Sequence, residues 1–171
     1  SYPSLTALIS ANQLDGSAWW TRINQIADMN EMTLEWATEL YTGHWDGYVL
    51  NKNNYFVNFD DAGKATMLPW GTDQTWNGSY NFFGSSALMV NKCWGSIECT
   101  EMYYQALAKV ANTAKRLNLT NMATNVSTAV QNAISQDPFG PGLGSAQGAQ
   151  GNTVWQLGSQ LEILTSMAEP W

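Results

Sequence analysis

Three polar residues, Asp46, Asn51 and Asp73, have the types that phosphoryl chemistry at a metal ion requires. Carboxylate and amide oxygens are the ligands that hard divalent cations such as Mg²⁺ prefer. A carboxylate held near such a cation without binding it can orient a hydroxyl group and accept its proton. Asp46 suits this second task, whereas Asn51 and Asp73 suit the first. The three residues therefore predict a site where a cation, a phosphate group and a hydroxyl meet.

The spacing of these residues is that of a catalytic loop used in phosphoryl transfer. Protein kinases carry the pattern His-x-Asp-x-x-x-x-Asn, in which the Asp faces the acceptor hydroxyl and the Asn holds magnesium. His44, Asp46 and Asn51 stand at these offsets. In kinases a short hairpin then leads to a second metal-binding Asp, and Asp73 follows a predicted hairpin here. We expect His44 itself to pack or to hydrogen-bond the loop backbone.

A simpler interpretation of the same segment stays open. Asp and Asn side chains cap backbone groups in turns, and Asp-Gly is a common turn pair. Asp46-Gly47 and the asparagines Asn51, Asn53 and Asn54 could all be turn residues that precede the hairpin. The spacing alone does not separate this interpretation from the catalytic one.

Two helices and one hairpin are predicted to position the segment. The supporting patterns are a helical stripe of Trp20, Ile23, Ile26 and Ala27, a second stripe of Met32, Trp36, Leu40 and Tyr41 with Asn30 as its cap, and strands over 55–59 and 65–68 joined by a turn at 60–63. Apolar residues three and four apart indicate the helices, and alternation with a period of two indicates the strands.

The second half of the chain is predicted to be helical. One stripe runs from Met102 to Ala114 and breaks near Leu117, and another runs from Ala123 to Ile134. The second should end at Asp137-Pro138, because the residue before a proline is pushed out of helical geometry. Residues 138–152 are predicted to be a surface loop, and a last helix is expected over 153–168. The glycine-rich stretch 140–145 follows a helix, so we interpret it as a connector rather than a phosphate loop.

Composition limits the class of protein. The 171 residues are 44% hydrophobic, which favours one domain, or one lobe of a larger one, with a sizeable core. The net charge of -7 offers no basic face for nucleic acid, and no apolar run is long enough to predict a membrane span. Most of the nine Trp and seven Tyr are expected in the core and at a lobe interface, although exposed aromatic side chains also stack on sugars or partner proteins.

The two cysteines, Cys93 and Cys99, are predicted to form a disulfide. They stand six residues apart in Cys-Trp-Gly-Ser-Ile-Glu-Cys, and the Gly-Ser pair permits the tight return of a short loop. A disulfide indicates an oxidising compartment, and hence a secreted or cell-surface protein. The alternatives are two reduced, buried thiols, or a zinc site in which the single histidine, His44, would need a further partner.

Several motifs together resemble the spore coat protein H (CotH) kinase-like family. They are His44-Trp-Asp-Gly-Tyr48, Asn51-Lys-Asn-Asn-Tyr55, Leu68-Pro-Trp70 and Asp73, in the order and at the spacing of that family, followed by the segment from Cys93 to Tyr104. The resemblance extends from about Asn24 to the end of the chain, and its sharp motifs lie between residues 44 and 76.

The resemblance implies the carboxyl-terminal lobe of an atypical, secreted protein kinase that uses ATP and Mg or Mn to phosphorylate proteins. Asp46 would be the catalytic-loop residue, while Asn51 and Asp73 would bind the metal and the nucleotide. The fold would be mainly α with a small β-hairpin, spanning residues 1–171 as one domain. Asn77, Asn118 and Asn125 begin glycosylation sequons, which matter only in a eukaryotic secretory route.

The chain departs from this family in two respects. The family usually has Pro-Trp-Asp-x-Asp, where this chain has Gly71 in place of the first Asp. The amino-terminal lobe, with the lysine that pairs the nucleotide phosphates, is also absent from this sequence. We therefore expect either that a second chain supplies this lobe or that the chain is a fragment cut by proteolysis. The alternative function is a non-catalytic extracellular module, derived from the kinase fold, that binds a surface partner.

Overall fold

Six α-helices and one two-stranded sheet make up the part of the chain that the computed structural model describes, residues 2–76, 78 and 80–136. The elements are α1 (Pro3–Ala11), α2 (Gly16–Ile26), α3 (Met29–Thr42), β1 (Tyr55–Phe59), β2 (Ala65–Pro69), a 3-10 turn (Thr72–Gln74), α4 (Leu88–Trp94), α5 (Ile97–Leu117) and α6 (Leu119–Gln136). The expectation of a mainly helical fold with one small hairpin is confirmed. Assignment to a kinase-like lobe stays a proposal.

The core forms where α3 packs against α5. Trp36 and Leu40 of α3 and Tyr103 and Leu107 of α5 are all fully buried. Their spacing of four residues puts each pair on one helical face, so both helices turn an apolar stripe inward. The Tyr103 hydroxyl donates to the carbonyl of Phe82 at 2.7 Å, which satisfies the polar end of that buried ring.

Two details of the amino-terminal helices differ from the prediction. Asp28, not Asn30, caps α3, because the Asp28 carboxylate accepts a hydrogen bond from the Glu31 amide at 3.2 Å. Asn30 lies inside the helix. In α2 the fully buried tryptophan is Trp19, whereas Trp20 only packs against the edge of the core. The predicted stripe was therefore shifted by one residue at its first position.

The hairpin has the predicted strands, with β2 one residue longer than expected. The strands are antiparallel, and Phe56 pairs with Leu68 in the register. Tyr55 and Val57 pack against the core, while Phe56, Leu68 and Trp70 point outward and are 59%, 46% and 51% exposed. The rings of Phe56 and Trp70 stack with centroids 6.1 Å apart. One face of the hairpin is thus apolar and open.

The two cysteines lie where α4 meets α5. Cys93 and Cys99 form a disulfide, with Cα atoms 5.1 Å apart and both side chains buried. The side chain of Ser96, in the turn between them, accepts a hydrogen bond from the Cys99 amide and caps α5. The disulfide bond joins α4 to α5 at this turn.

The carboxyl-terminal predictions are met only as far as the described residues reach. α5 ends at Leu117 and α6 ends at Gln136, as the two stripes predicted. Asn118 and Asn125 are exposed. The loop over 138–152, the glycine-rich stretch 140–145, the helix over 153–168 and the sequon at Asn77 lie outside the described residues. Within those residues, no helix has both the length and the apolar character needed to cross a membrane.

Candidate functional site

Four side chains between α3 and β1 form one polar group, which we call the Asp46 cluster: Asp46, Asn51, Asn53 and Asn54. The Asn51 amide donates to Oδ1 of Asp46, while Asn53 and Asn54 donate to Oδ2 at 3.0 and 2.9 Å. The backbone amide of Asn54 also donates to the Asp46 carbonyl at 2.7 Å. Asp46 is buried and Asn51 is exposed, so the cluster lies just beneath the surface.

The amides keep the Asp46 carboxylate ionised. The hydrogen bond from Asn51, then the one from Asn53, lowers the pKa of Asp46, and the nearby His44 lowers it further. A carboxylate offers about four lone-pair positions, and the three amides occupy three of them. One acceptor position therefore remains, on the Oδ1 atom, to which Asn51 is the one side-chain donor among the described residues.

Glu39 of α3 holds the loop that carries Asp46. Its two carboxylate oxygens accept hydrogen bonds from the backbone amides of Tyr48 and Val49, at 3.0 and 2.8 Å. A Cβ atom placed on Gly47 would lie 2.6 Å from the Glu39 carboxylate. Only glycine lets the loop approach the carboxylate this closely. Glycine at position 47 is therefore required by the contact with Glu39.

Burial changes the pKa of the Glu39 carboxyl group. Burial raises the pKa of Glu39 to about 7, although the bonds from Val49 and Tyr48 oppose the shift. One turn earlier on α3, burial and the charges of Glu39 and Glu31 raise the pKa of Glu35 to about 7. The helix behind the cluster thus carries two carboxyl groups that titrate near neutrality.

The opposite side of the loop is fixed by the segment before α4. The hydroxyl of Ser85 donates to the Val49 carbonyl at 2.6 Å, and the Lys52 ammonium donates to the hydroxyl of Ser86 at 2.7 Å. The buried Tyr48 ring packs against Trp36, and its oxygen accepts from the Met89 amide at 3.3 Å. The loop is therefore held from α3 and from α4.

Gly71, the position at which the resembling family has a metal-binding Asp, packs against the cluster. Its φ of +64° lies in the left-handed region, and a Cβ atom placed on it would lie 2.5 Å from Nδ2 of Asn54. A larger residue would have to displace Asn54 and adopt a strained backbone. The local structure at position 71 would therefore not accommodate the Asp that the resembling family has there.

Asp73 is two residues beyond Gly71, in the exposed 3-10 turn. No hydrogen bond or ion pair among the described residues joins Asp73 to Asp46 or Asn51. Of the three predicted site residues, the structure thus brings Asp46 and Asn51 into contact. The expectation that Asp73 and Asn51 face one small cleft stays a prediction. The described part of the chain also contains no group of three His, Cys, Asp or Glu side chains placed to hold a metal ion.

His44 has a structural position, as the sequence led us to expect. It is 2% exposed, its amide donates to the Glu39 carbonyl at 2.9 Å, and its carbonyl accepts from Gly47 at 3.1 Å. Its Nε2 atom has no hydrogen-bond partner within the described residues. Both cysteines that a zinc site would need are bonded to each other.

The role of Glu39 was not predicted from the sequence. Trp36 and Leu40 were expected in an apolar stripe, and Glu39 lies between them on the same buried side of α3. A lone carboxylate on an apolar face is costly unless it is hydrogen-bonded, so its presence is a signal that nearby backbone amides need an acceptor. The Asp-Gly turn that follows supplies those amides.

Comparison with known proteins identifies no relative: no protein-family model, curated protein or solved structure matches the chain. The likeness to the CotH kinase-like family therefore depends on the sequence motifs between residues 44 and 76.

Proposed function

We propose that this chain is the carboxyl-terminal lobe of a CotH-type phosphotransfer domain, in which Asp46 orients the hydroxyl of a protein substrate. The observation that carries the proposal is the contact between the Asn51 amide and the Asp46 carboxylate, at the five-residue offset of a kinase catalytic loop. The single lone-pair position left on Asp46 suits one acceptor hydroxyl, and the lowered pKa keeps the carboxylate able to accept its hydrogen bond.

Asn51 and Asp73 are the proposed ligands for Mg or Mn with ATP. Asn51 uses its amide nitrogen toward Asp46, which turns its amide oxygen away, and the residue is exposed. Asp73 is also exposed. Magnesium commonly binds through one or two protein oxygens, with water and phosphate oxygens completing its shell, so this donor set fits the ion. When bound, the cation would neutralise charge on the transferred phosphoryl group.

The isolated chain is expected to lack phosphotransfer activity. Phosphoryl transfer depends on positioning and on charge stabilisation, and the lysine-bearing lobe would have to come from a second chain or from the rest of the protein. Gly71 further removes one metal carboxylate of the family pattern. We propose a secreted or cell-surface location, which the disulfide supports.

Titration calorimetry with Mg-ATP tests the proposal, together with transfer of radiolabelled phosphate to the chain and to a generic acceptor protein. We expect weak binding that Asp73→Asn abolishes and that the control Asp61→Asn, in the exposed hairpin turn, leaves unchanged. We expect no transfer above background. Strong labelling by the isolated chain, lost in Asp46→Ala, would show that this lobe is catalytic alone.

A second candidate function is a non-catalytic extracellular binding module. It is favoured by the three amide hydrogen bonds that the Asp46 carboxylate accepts, because they already give this residue a structural task. The open apolar face of Phe56, Leu68 and Trp70 would offer contacts to a surface partner. Absence of any Mg-ATP binding at millimolar concentrations, by the chain in its folded state, would favour this function.

A further inference from the structure

A groove runs between α3 and α5, and its main cavity has a volume of about 350 Å³. Leu34 and Thr38 of α3 line it on one side, and Val110 and Thr113 of α5 line it on the other. Cavities that bind small molecules in proteins commonly have volumes of about 300–1,000 Å³. This cavity is therefore large enough to hold a small ligand.

The lining of this cavity favours an apolar ligand group. The Thr38 hydroxyl donates to the Leu34 carbonyl at 2.7 Å, and the Thr42 hydroxyl donates to the Thr38 carbonyl at 2.9 Å. Because each threonine has one hydroxyl proton, neither proton is available to a ligand. Leu117, at the end of α5, also lines the cavity and is 44% exposed. A ligand that covered this leucine would remove apolar surface from water.

Lys109 is the one charged side chain among the described residues that line the cavity. It is exposed, and its ammonium group forms no hydrogen bond or ion pair with another described residue. The positions three and four residues away on α5 are Gln105, Ala106, Asn112 and Thr113, so no carboxylate stands within one helical turn. The cavity thus has a cation without a counter-ion at its edge, although the chain as a whole has a net charge of -7.

Polar groups other than Lys109 are found on the same side of the groove. A smaller cavity of about 130 Å³ shares Leu34 and Lys109 with the main one and continues the groove toward the start of α3. Asn30 and Gln105 line this smaller cavity, and both are exposed. In the other direction, the main cavity extends to Leu117 and Leu119. The groove is therefore polar and cationic toward one end and apolar toward the other.

From this polarity we propose that the groove binds a single-chain carboxylate amphiphile of the fatty-acid type. Its carboxylate would pair with Lys109, and its hydrocarbon chain would lie along the main cavity toward Leu117. These two residues are eight positions apart on α5, which corresponds to about 12 Å along the helix axis. A purely apolar partner would leave the ammonium group without a counter-ion, and an acidic peptide would leave the apolar cavity unfilled. One amphiphile satisfies both ends.

Calorimetric titration of the full chain with decanoate, below its micellar concentration, and with uncharged decanol tests the proposal. We expect both to bind saturably. An exposed ion pair contributes little, so decanoate should bind about threefold more tightly than decanol. Lys109→Gln should remove this preference and leave decanol binding unchanged. Lys115→Gln is the matched control, because Lys115 is an exposed lysine of the same helix that lines neither cavity, and it should keep the preference.

Filling the cavity gives a second test that does not depend on charge. Thr113→Trp places a large side chain in the groove and should weaken the binding of both compounds about tenfold or more. Thr128→Trp is its control, because Thr128 is exposed on α6 and lines neither cavity. Circular dichroism of each variant checks that the helices are retained.

Four results would overturn the proposal. The first is the absence of saturable decanoate binding by the folded chain, and the second is equal affinity for decanoate and decanol. The third is loss of the preference in Lys115→Gln as well as in Lys109→Gln. The fourth is unchanged binding in Thr113→Trp, because this would place the bound chain outside the groove.

Discussion

Gly71 and Asn54 are packed so closely that a side chain at position 71 would take the place of the Asn54 amide. The nitrogen that a Cβ atom on Gly71 would approach to 2.5 Å is the same Nδ2 that donates to Asp46 at 2.9 Å. The carboxyl end of β2 and the Asp46 cluster are therefore one structural unit. A substitution at Gly71 is expected to act on Asp46 through Asn54.

Gly71→Asp is accordingly expected to destabilise the fold rather than to add a metal ligand. The left-handed backbone and the contact with Asn54 both oppose a side chain, and together they should cost about 2–4 kcal/mol in the free energy of unfolding. Urea unfolding of Gly71→Ala and Gly71→Asp measures this cost. Gly16→Ala is the control, since Gly16 also has a positive φ but has open space around it. Equal costs at both sites would contradict the role of Asn54.

The contact between Glu39 and the Asp46 loop predicts strong coupling between positions 39 and 47. Gly47→Ala should destabilise the protein by about 2 kcal/mol or more, because its Cβ atom would lie 2.6 Å from the Glu39 carboxylate. Glu39→Ala should also destabilise it, since the amides of Tyr48 and Val49 lose their acceptor. In the double variant the clash disappears. A double-mutant cycle of unfolding free energies should show a coupling of about 1 kcal/mol or more, and simple additivity would contradict it.

The acidic residues of α3 predict that stability falls as pH rises toward neutrality. The pKa of Glu35 is raised from 4.5 to about 7, so the folded protein favours its neutral form. This contribution is fully present below about pH 4.5 and is lost as pH rises through about 7. At about 1.4 kcal/mol per pKa unit, the loss is about 3.5 kcal/mol at most.

Glu35→Gln tests this dependence. The variant should be more stable than the parent at pH 8 and similar to it at pH 4.5, as measured by urea unfolding across that range. Glu31→Gln, on the exposed side of the same helix, should change the free energy of unfolding at pH 8 by less than Glu35→Gln does, because it removes only a charge next to Glu35. A pH profile of Glu35→Gln parallel to that of the parent would contradict the assignment.

The Asp46 cluster predicts a measurable pKa change when one amide is removed. The Asn51 amide is the largest cause of the lowered pKa of Asp46, so Asn51→Ala should raise that pKa toward its ordinary value. Carboxyl NMR titration of Asp46 measures the change. Asn58→Ala, on an exposed strand position, is the control and should leave the pKa of Asp46 where it is.

The same variant should also change how the stability of the fold depends on pH at low pH. A lowered pKa stabilises the fold above the ordinary pKa of Asp, and the contribution is lost as pH falls through the folded-state value. Asn51→Ala should therefore reduce the difference in stability between pH 5 and pH 2. An unchanged difference in stability would show that the hydrogen bonds from Asn53 and Asn54 are enough to keep the pKa of Asp46 low.

Local patterns in the sequence predicted the hairpin and four of the six described helices, whereas α1 and α4 were not predicted as separate helices. The strands of the hairpin, the end of α5 at Leu117 and the end of α6 before Pro138 depend on alternation, helical spacing and proline, which act over a few residues. The predicted cap of α3 was wrong by two residues. Asp28 and Asn30 are both residue types that cap helices, and only the packing of Asp28 beside β2 selects Asp28. The Asp28 amide donates to the Ala65 carbonyl, a partner 37 positions away.

The site could be predicted only in part from the sequence, because its contacts join residues that are far apart along the chain. The offset of Asp46 and Asn51 was visible, and so was the run of asparagines. That all three asparagines donate to one carboxylate depends on how the loop folds back on itself. The contacts of Gly47 with Glu39 and of Gly71 with Asn54 depend on the approach of α3 and of β2, and a glycine alone does not indicate what it approaches.

The open aromatic face of the hairpin has a consequence for handling the protein. Phe56, Leu68 and Trp70 form an exposed apolar patch, and β1 is an edge strand of a two-stranded sheet, which is a common starting point for self-association. A net charge of -7 at pH 7 keeps molecules apart, but it vanishes near the isoelectric point of about 4.4. The acidic pH that favours the fold through Glu35 and Glu39 is thus the pH at which solubility is lowest. Concentrated samples should be prepared near pH 6, with salt kept low enough to preserve the repulsion between molecules.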